Sequence, residues 1–249
     1  MTALLANQID VAGLTNMEVA LSVEGKDPNK FKMVNFLVWD KNSYPDYIIA
    51  RKDSKIKSII DLEGKVIGLH PGSAVRGFTT ALFKHFNLEE GKIQTIELKP
   101  DIMQSAITAK RVDALYCMDP VATDIVSKGE GEIILSNPLS YLIEPPIPIS
   151  GTAISQEFLS KYPKLSVKLI NAIDKAIKYI HNPNNKEEIA GYISKYTPIS
   201  KELALRLNPS KYWLSNDINI ELVQYLSKKF FELAIVEKEI NVKKIIKMN

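Results

Sequence analysis

The sequence predicts an α/β fold in which a largely parallel sheet, or two small sheets, is covered by helices. Three observations carry this prediction. Short apolar strand patterns alternate with helical patterns over residues 8–154. Several of those strands stop at a polar or glycine-containing turn, directly before a helical pattern begins. After Ser155 the periodicity is almost wholly helical. Strands that alternate with helices are typical of βαβ units.

The chain before residue 66 supplies the first strands. Large apolar residues alternate over 31–39, and Gly13 ends a shorter strand. Thr15 or Asn16 is suited to cap the next helix, because both side chains accept hydrogen bonds from free backbone N–H groups. The predicted elements are a helix end over 2–7, a strand over 10–12, a helix running to about Val23, strands over 31–39 and 47–50, and a helical turn over 58–62.

A strand–turn–helix unit over residues 64–83 is the most informative local pattern. Residues 66–69 indicate a short buried strand, and Pro71-Gly72 indicates a turn. From Ser73 the apolar residues recur at spacings of three and four, which predicts a helix to about residue 86. The first N–H groups of a helix have no partner within it, so this junction can bind an anion or a polar ligand group.

Similar units follow as far as residue 154. Asp119 is expected to cap a helix whose first position is Pro120. Pro138, Pro145, Pro146 and Pro148 predict an irregular connection over 137–151. The other predicted elements are strands over 93–98, 112–117, 132–135 and 151–154, and an amphipathic helix over 101–110.

The region after Ser155 is predicted to be helical. Its clearest helix places apolar residues on one face at helical spacing, namely Leu165, Leu169, Ile170, Ile173, Ile177 and Ile180. Further helices are predicted over 185–195, 200–207, 218–236 and 239–248. The lysines of the last of these fit the solvated face of a helix.

Composition excludes several classes of function. The chain has 249 residues and a formal charge of +3, without the basic run that a nucleic-acid partner requires. The single cysteine, Cys117, excludes an internal disulfide, and its apolar surroundings favour a buried, inert thiol. Scattered histidines and the lack of Walker-type or metal-ligand spacings predict neither metal nor cofactor. No apolar run reaches the length of a membrane span, and residues 1–6 lack the basic region of a signal peptide.

Three strand-to-helix junctions carry the candidate binding residues. They contain Thr15 and Asn16, Gly72 and Ser73, and Asp119. Ligands of open α/β sheets bind beyond the carboxyl ends of strands, so these polar groups are candidates to converge on one small molecule. The alternative interpretation, that each residue is simply a helix cap, stays open at this point.

Further side chains extend the candidate site. Arg76 lies on the first turn of the helix from Ser73 and is suited to hold a carboxylate or sulfonate. Trp39 and Tyr44 flank a loop at a strand end and can stack on a ligand, or else belong to the core or its rim. No nucleophile–base pair emerges, so no catalytic residue is predicted.

The sequence resembles the solute-binding proteins of ABC importers for nitrate, sulfonates, taurine and thiamine-pyrimidine precursors. The resemblance covers most of the chain and weakens after about residue 165. It rests on Ala6-Asn7-Gln8-Ile9-Asp10-Val11-Ala12, on the long block from Ile48 to Gly68 with its Arg51-Lys52-Asp53-Ser54 start, on Pro71-Gly72-Ser73, on Val112-Asp113-Ala114 and on Asp119-Pro120.

The resemblance implies a type II periplasmic-binding-protein fold of two lobes. Lobe one would hold residues 1–52 and 150–249, lobe two residues 66–148, with hinge crossings near 53–65 and 145–151. A small anionic or zwitterionic solute would bind between the lobes, and a membrane permease would receive it. The residues that would line this cleft are Thr15, Asn16, Gly72, Ser73, Arg76 and Asp119. Family members are periplasmic, or extracellular and anchored to the membrane. Arg76 stands where many sulfonate-type members have a histidine, which keeps an anion contact but leaves the ligand class open.

The resemblance also implies that the chain starts inside the first helix of the family. Lobe one would then lack its first strand, which leaves backbone groups unpaired and apolar surface exposed. We therefore expect reduced stability, an altered lobe one, or association with another chain.

Two other functions stay open on the same scaffold. One is an enzyme similar to the fungal thiamine-pyrimidine synthase or to menaquinone-pathway enzymes. The fungal enzyme carries a cysteine-rich iron motif, against which the single Cys117 argues. The other is a detached sensor module. The solute-binding role is the leading prediction.

Overall fold

The computed structural model describes residues 1–41, 43, 45–208 and 210–247. Its strands are β1 (Val11–Asn16), β2 (Phe31–Trp39), β3 (Asp46–Arg51), β4 (Val66–Leu69), β5 (Gln94–Glu97), β6 (Ala114–Met118), β7 (Gly131–Ser136), β8 (Ile147–Ser155) and β9 (Lys211–Trp213). Its α-helices are α1 (Thr2–Leu5), α2 (Met17–Lys26), α3 (Ser73–His85), α4 (Pro100–Thr108), α5 (Val121–Ser127), α6 (Gln156–Lys161), α7 (Pro163–His181), α8 (Lys186–Tyr196), α9 (Lys201–Arg206) and α10 (Ile220–Glu232). None of the helices in these ranges combines the length and the apolar character that crossing a membrane requires.

The chain divides into two compact units. Unit 1 comprises Met1–Ser43, Pro145–Lys186 and Pro209–Asn249, and unit 2 comprises Tyr44–Glu144 and Glu187–Asn208. These boundaries differ from the predicted lobes at two places. The strand β3 belongs to unit 2 because it pairs with β6 and β7. Helix α9 contacts α5, so residues 187–208 also belong to unit 2 instead of lobe one.

Unit 1 is built on a four-stranded sheet in the order β1-β8-β2-β9. Each of its named strand pairs is antiparallel, so the expectation of a largely parallel sheet is wrong for this unit. The reason is that β8 returns between β1 and β2, which run in the same direction without being neighbours. Among the described strands β1 pairs only with β8. Ile9, just before this strand, and Leu14, within it, are 42 % and 61 % exposed.

The strand β8 begins at Ile147, inside the segment that its prolines predict to be irregular. Pro148 lies opposite Val38, where the register between β2 and β8 shifts. Proline has no backbone N–H, and it is tolerated at such an irregularity because no regular hydrogen bond between the strands is lost there. Gly151, at the centre of the strand, lies opposite both Thr15 and Phe36.

The C-terminal residues contradict the predicted helix over 239–248. Apart from a single 3-10 turn at Val242–Lys244, they run alongside β2. The Met33 N–H donates to the Ile245 carbonyl at 2.6 Å, and the Lys247 N–H donates to the Met33 carbonyl at 2.9 Å. Ile245 and Ile246 are both buried, and this path lets consecutive apolar residues reach the core.

Helix α7 also differs from the prediction in part, because Leu165 on its predicted buried face is 52 % exposed.

Unit 2 is built on a five-stranded sheet in the order β5-β4-β6-β3-β7. The strands β5, β4 and β6 run parallel, and β3 is antiparallel to both β6 and β7. One face of the sheet packs on α3 through Leu82 and Phe83. The other face packs on α4 and α5 through Met103, Ile107 and Ile125. Local strand–helix patterns predict this unit well.

Residues of the long sequence block from Ile48 to Gly68 make polar contacts with other segments of unit 2, at the amino ends of β4 and β6. The Asp113 carboxylate accepts a hydrogen bond from the Arg51 guanidinium at 3.2 Å and from the Val66 N–H at 3.0 Å. Glu132 accepts from Lys52 and from Lys57. These contacts give the block a structural role, at the sheet edge opposite the candidate site.

Candidate ligand-binding site

In unit 2, the candidate residues lie at the carboxyl edge of the sheet. Leu69 at the end of β4 is paired with Glu97 at the end of β5 and with Tyr116 near the end of β6. Parallel strands present their carboxyl ends at the same edge, and ligands of α/β sheets bind there. The residues that follow these ends include Gly72, at the start of α3, and Asp119. The structure thus brings two of the predicted junctions to one edge of a single unit.

The start of α3 is open to a ligand. Gly72 occupies the N-cap position with a φ of 138° and a ψ of 147°, and no side chain caps this helix end. That conformation is accessible essentially only to glycine. The N–H groups of the first turn, beginning at Ser73, therefore keep their hydrogen-bonding capacity and carry the positive end of the helix dipole.

Arg76 follows one turn into α3 and is exposed, as the anion hypothesis requires. Its guanidinium is paired with the Glu97 carboxylate at the end of β5. An exposed pair of this kind contributes little to stability, so Arg76 can exchange this partner for a ligand at small cost. Glu97 is nevertheless a competitor that an anionic ligand has to displace.

Asp119 contributes a carboxylate to the same edge. It accepts hydrogen bonds from the Thr123 N–H at 3.1 Å and the Thr123 hydroxyl at 2.6 Å. Helix α5 begins at Val121 with Pro120 in the N-cap position, one residue later than expected, but Asp119 still satisfies an N–H of its first turn. Burial raises the pKa of Asp119 despite these bonds. A ligand amine here would favour the ionised carboxylate, which suits a zwitterion.

Two titratable groups next to this edge, His70 and Cys117, favour their neutral forms. Burial lowers the pKa of His70, which directly precedes the Pro71-Gly72 turn, so its imidazole favours the neutral form. Burial raises the pKa of the Cys117 thiol above its ordinary value, which makes a thiolate unfavourable. The described residues contain no group of His, Cys, Asp and Glu side chains that could hold a metal ion.

In unit 1, the candidate residues lie at the ends of β1 and β2. The carboxyl ends of β1 and β2 both lie beside the first half of β8, because Asn16 is opposite Ser150 and Trp39 is opposite Ile147. Thr15 is 6 % exposed, and its hydroxyl donates to the Ala12 carbonyl at 3.3 Å, so this side chain faces inward. Asn16 is exposed and its side chain does not cap α2, which leaves its amide available to a ligand.

Of the two predicted aromatic contacts, the structure describes Trp39 but not Tyr44. Trp39 is half-buried at the end of β2, on the edge that also carries Asn16. Tyr44 lies outside the described residues.

The structure adds a pocket that sequence reasoning missed at this edge. It encloses about 320 Å³ and is lined by Val38, Asp40, Lys41, Pro145, Pro146, Lys211 and Trp213. Sequence reasoning missed this pocket because one of its walls is the strand β9. The three residues of β9 are too few to show an alternating pattern. A tryptophan between a loop and a helical pattern is the only hint in the sequence.

A family model for NMT1/THI5-like proteins matches residues 41–186. The chain belongs to the NMT1/THI5-like family. The match spans the whole unit 2 sheet, including the start of α3, and all of β8. It confirms the family predicted from the sequence blocks.

Solved structures share the fold over nearly the whole chain. The alkanesulfonate-binding protein SsuA from Xanthomonas axonopodis, bound to MOPS, has a TM-score of 0.74 at 16 % identity, over 99 % of this chain and 83 % of that one. The periplasmic nitrate-binding protein NrtA from Synechocystis has a TM-score of 0.68 at 15 % identity, over 95 % and 70 %. The desulfurization enzyme DSZB has a TM-score of 0.69 at 14 % identity, over 95 % and 82 %. The chain therefore has the type II periplasmic-binding-protein fold, as predicted.

Proposed function

We propose that this NMT1/THI5-like protein is the solute-binding component of an ABC importer. Its solute is a small organic anion or zwitterion, of the sulfonate, taurine, nitrate or pyrimidine-precursor kind. The carboxyl edge of each sheet carries groups that suit such a solute, and a permease in the membrane receives it. The protein acts in the periplasm, or outside the cell on a membrane anchor.

The uncapped start of α3 carries this proposal. It offers backbone N–H groups and a helix dipole to a negative charge, at the carboxyl edge of parallel strands. The exposed Arg76 adds a guanidinium one turn later, and Asp119 offers a carboxylate to a ligand amine. Proteins of this fold that bind a sulfonate buffer and nitrate support the same class of solute.

An enzymatic role is the second candidate, because one protein of this fold is a desulfurization enzyme. The chemistry of this chain favours binding instead. Its one thiol, Cys117, is buried and has a raised pKa, and the described residues contain no metal-ligand group. Binding without turnover is what the candidate site supports best.

Calorimetry with methanesulfonate, taurine, MOPS, nitrate and a pyrimidine tests the proposal. We expect saturable binding of at least one anion or zwitterion. Replacing Ser73 or Arg76 by Ala is expected to weaken that binding by about 1–3 kcal/mol, the scale of a hydrogen bond to a charged group.

The matched control for the charge of Arg76 is Lys84→Ala, which removes one positive charge from the last turn of the same helix. Its effect on binding is expected to be small. The proposal is wrong if the wild-type protein binds none of these compounds. The anion site at α3 is wrong if both first-turn variants bind with unchanged affinity.

A further inference from the structure

The pocket at the carboxyl edge of unit 1 combines an apolar wall with a charged rim. Trp213, Val38 and two prolines line the apolar side, and Asp40, Lys41 and Lys211 line the rim. Ligand pockets of proteins are typically apolar with a few polar groups that fix orientation. The pocket therefore has the composition of a binding site, and all of its lining residues belong to unit 1.

The indole of Trp213 is held in place by its own unit. β9 pairs Trp213 with Phe36, and the two rings meet edge to face, with centroids 6.4 Å apart and planes at 71°. Because β9 pairs with β2 at the edge of the sheet, the indole does not have to be ordered by a ligand. Trp213 is only half-buried, so part of its surface remains available for contact.

The rim carries a net positive charge. Lys211 is paired with Asp40, whose side chain is only 16 % exposed, so the charges of these two side chains nearly cancel. Lys41 is exposed, and none of the described residues forms an ion pair with it. Two lysines against one aspartate favour a ligand with one negative charge.

The pocket is larger than the space that a bare inorganic anion fills. A volume of about 320 Å³ corresponds to roughly ten water molecules, at about 30 Å³ each. A nitrate ion has four heavy atoms and makes no use of an indole wall. A ring-sized apolar body attached to an anion would fill the space and bury apolar surface against Trp213.

We propose that this pocket holds the apolar body of an organic monoanion, and that Trp213 makes the protein select ring-bearing organic monoanions over small or inorganic anions. This inference rests on the proposed function, and it narrows the class of solute. Trp213 is a specificity-determining residue that contacts the solute, and Lys41 attracts its charge.

The test compares the affinities of wild-type protein and the Trp213→Ala variant for benzenesulfonate, methanesulfonate and nitrate, by calorimetry. We expect wild-type protein to bind benzenesulfonate most tightly. Trp213→Ala is expected to weaken benzenesulfonate binding at least tenfold and to change methanesulfonate binding less than twofold. The exposed aromatic residue Phe231 in α10 provides the control, because Phe231→Ala is expected to change none of these affinities.

A second measurement does not depend on the folding of the Trp213→Ala variant. Trp39→Phe leaves Trp213 as the only tryptophan, since the chain has two. Because Trp39 is itself a candidate contact, calorimetry first establishes the benzenesulfonate concentration that saturates this variant. Saturation is expected to shift the fluorescence emission of Trp213, whereas methanesulfonate is expected to leave it unchanged. Asp40→Asn, which frees Lys211 from its carboxylate, is expected to tighten benzenesulfonate binding severalfold.

The outcomes separate this inference from the proposed function. If wild-type protein binds none of the anions, the proposed function and the inference are both wrong. If it binds sulfonates, but a folded Trp213→Ala variant loses benzenesulfonate and methanesulfonate affinity by the same factor or loses neither, the inference alone is overturned. An unchanged Trp213 emission at benzenesulfonate saturation overturns it as well.

Discussion

Gly151→Ala is expected to destabilise unit 1 by about 3 kcal/mol or more, at the upper end of the range for overpacking. A Cβ at this position would lie 2.1 Å from the Asn35 carbonyl oxygen and 2.9 Å from the Met33 methyl carbon. The first atom is backbone in the neighbouring strand β2, so the sheet itself has to separate. Because Gly151 also lies opposite Thr15 in β1, the edge that carries Asn16 is expected to lose its geometry too.

Urea denaturation followed by tryptophan fluorescence measures this effect, since Trp39 and Trp213 both belong to unit 1. Gly13→Ala is the matched control. Gly13 lies in β1 of the same unit, and a Cβ there would meet nothing within 4 Å. That variant is expected to gain about 0.5–1 kcal/mol, because alanine loses less backbone entropy than glycine on folding. Equal stabilities of the two variants would contradict the close approach of β8 to β2.

Asp46 is expected to make unit 2 less stable as the pH rises from 4 to 7. The residue is completely buried. Its Oδ2 accepts hydrogen bonds from the Tyr116 hydroxyl at 3.1 Å and from the Leu139 N–H at 3.4 Å, while Oδ1 has no partner among the described residues. Burial raises the pKa of Asp46 from 3.8 to about 6, against the smaller opposing effect of those two bonds.

The sign follows from proton binding. Between pH 3.8 and about pH 6 the folded protein keeps the proton that the unfolded chain has already released. The stabilisation that Asp46 contributes is therefore complete below its pKa in the unfolded chain. It is lost as the pH rises through its pKa in the folded protein. The shift corresponds to a loss of roughly 3 kcal/mol. Asp46→Asn cannot ionise, so this loss is expected to be absent from its free energy of unfolding.

Urea titrations followed by circular dichroism at pH 4, 5, 6 and 7 compare the two proteins. The quantity of interest is the difference between their free energies of unfolding, which is expected to grow with pH in favour of Asp46→Asn. The same chemical change at the exposed Asp101 provides the control and is expected to show no such growth. A difference that is constant with pH would mean that Asp46 does not titrate between these values.

The parts of the fold that were predicted correctly are those that local sequence determines. The strand 66–69, the turn at Gly72 and the helix from Ser73 follow from apolar spacing and turn residues within twenty positions of one another. The same reasoning placed Asp119 beside the start of a helix. Unit 2 consists largely of such units, and its candidate residues accordingly lie at one edge.

The parts that were missed depend on contacts between distant segments. Nothing near Gly151 reveals that β8 lies between β1 and β2, because its partners are more than a hundred residues away. Arg76 was predicted as a free ligand group, and its partner Glu97 is 21 positions further along the chain. The pocket beside Trp213 is formed by three separate segments of unit 1. The spacing of apolar residues along the chain does not show which distant segments will be in contact.

The central position of β8 also sets the order in which the protein can form during synthesis. All five strands of the unit 2 sheet, from Asp46 to Ser136, leave the ribosome before the first residue of β8 does. β1 and β2 must wait, since both pair with β8 and only the short β9 offers β2 another named strand. Domains generally fold as units during translation. A nascent chain whose residues up to Glu144 have all left the ribosome is therefore expected to resist protease better over the unit 2 sheet than over its first 43 residues.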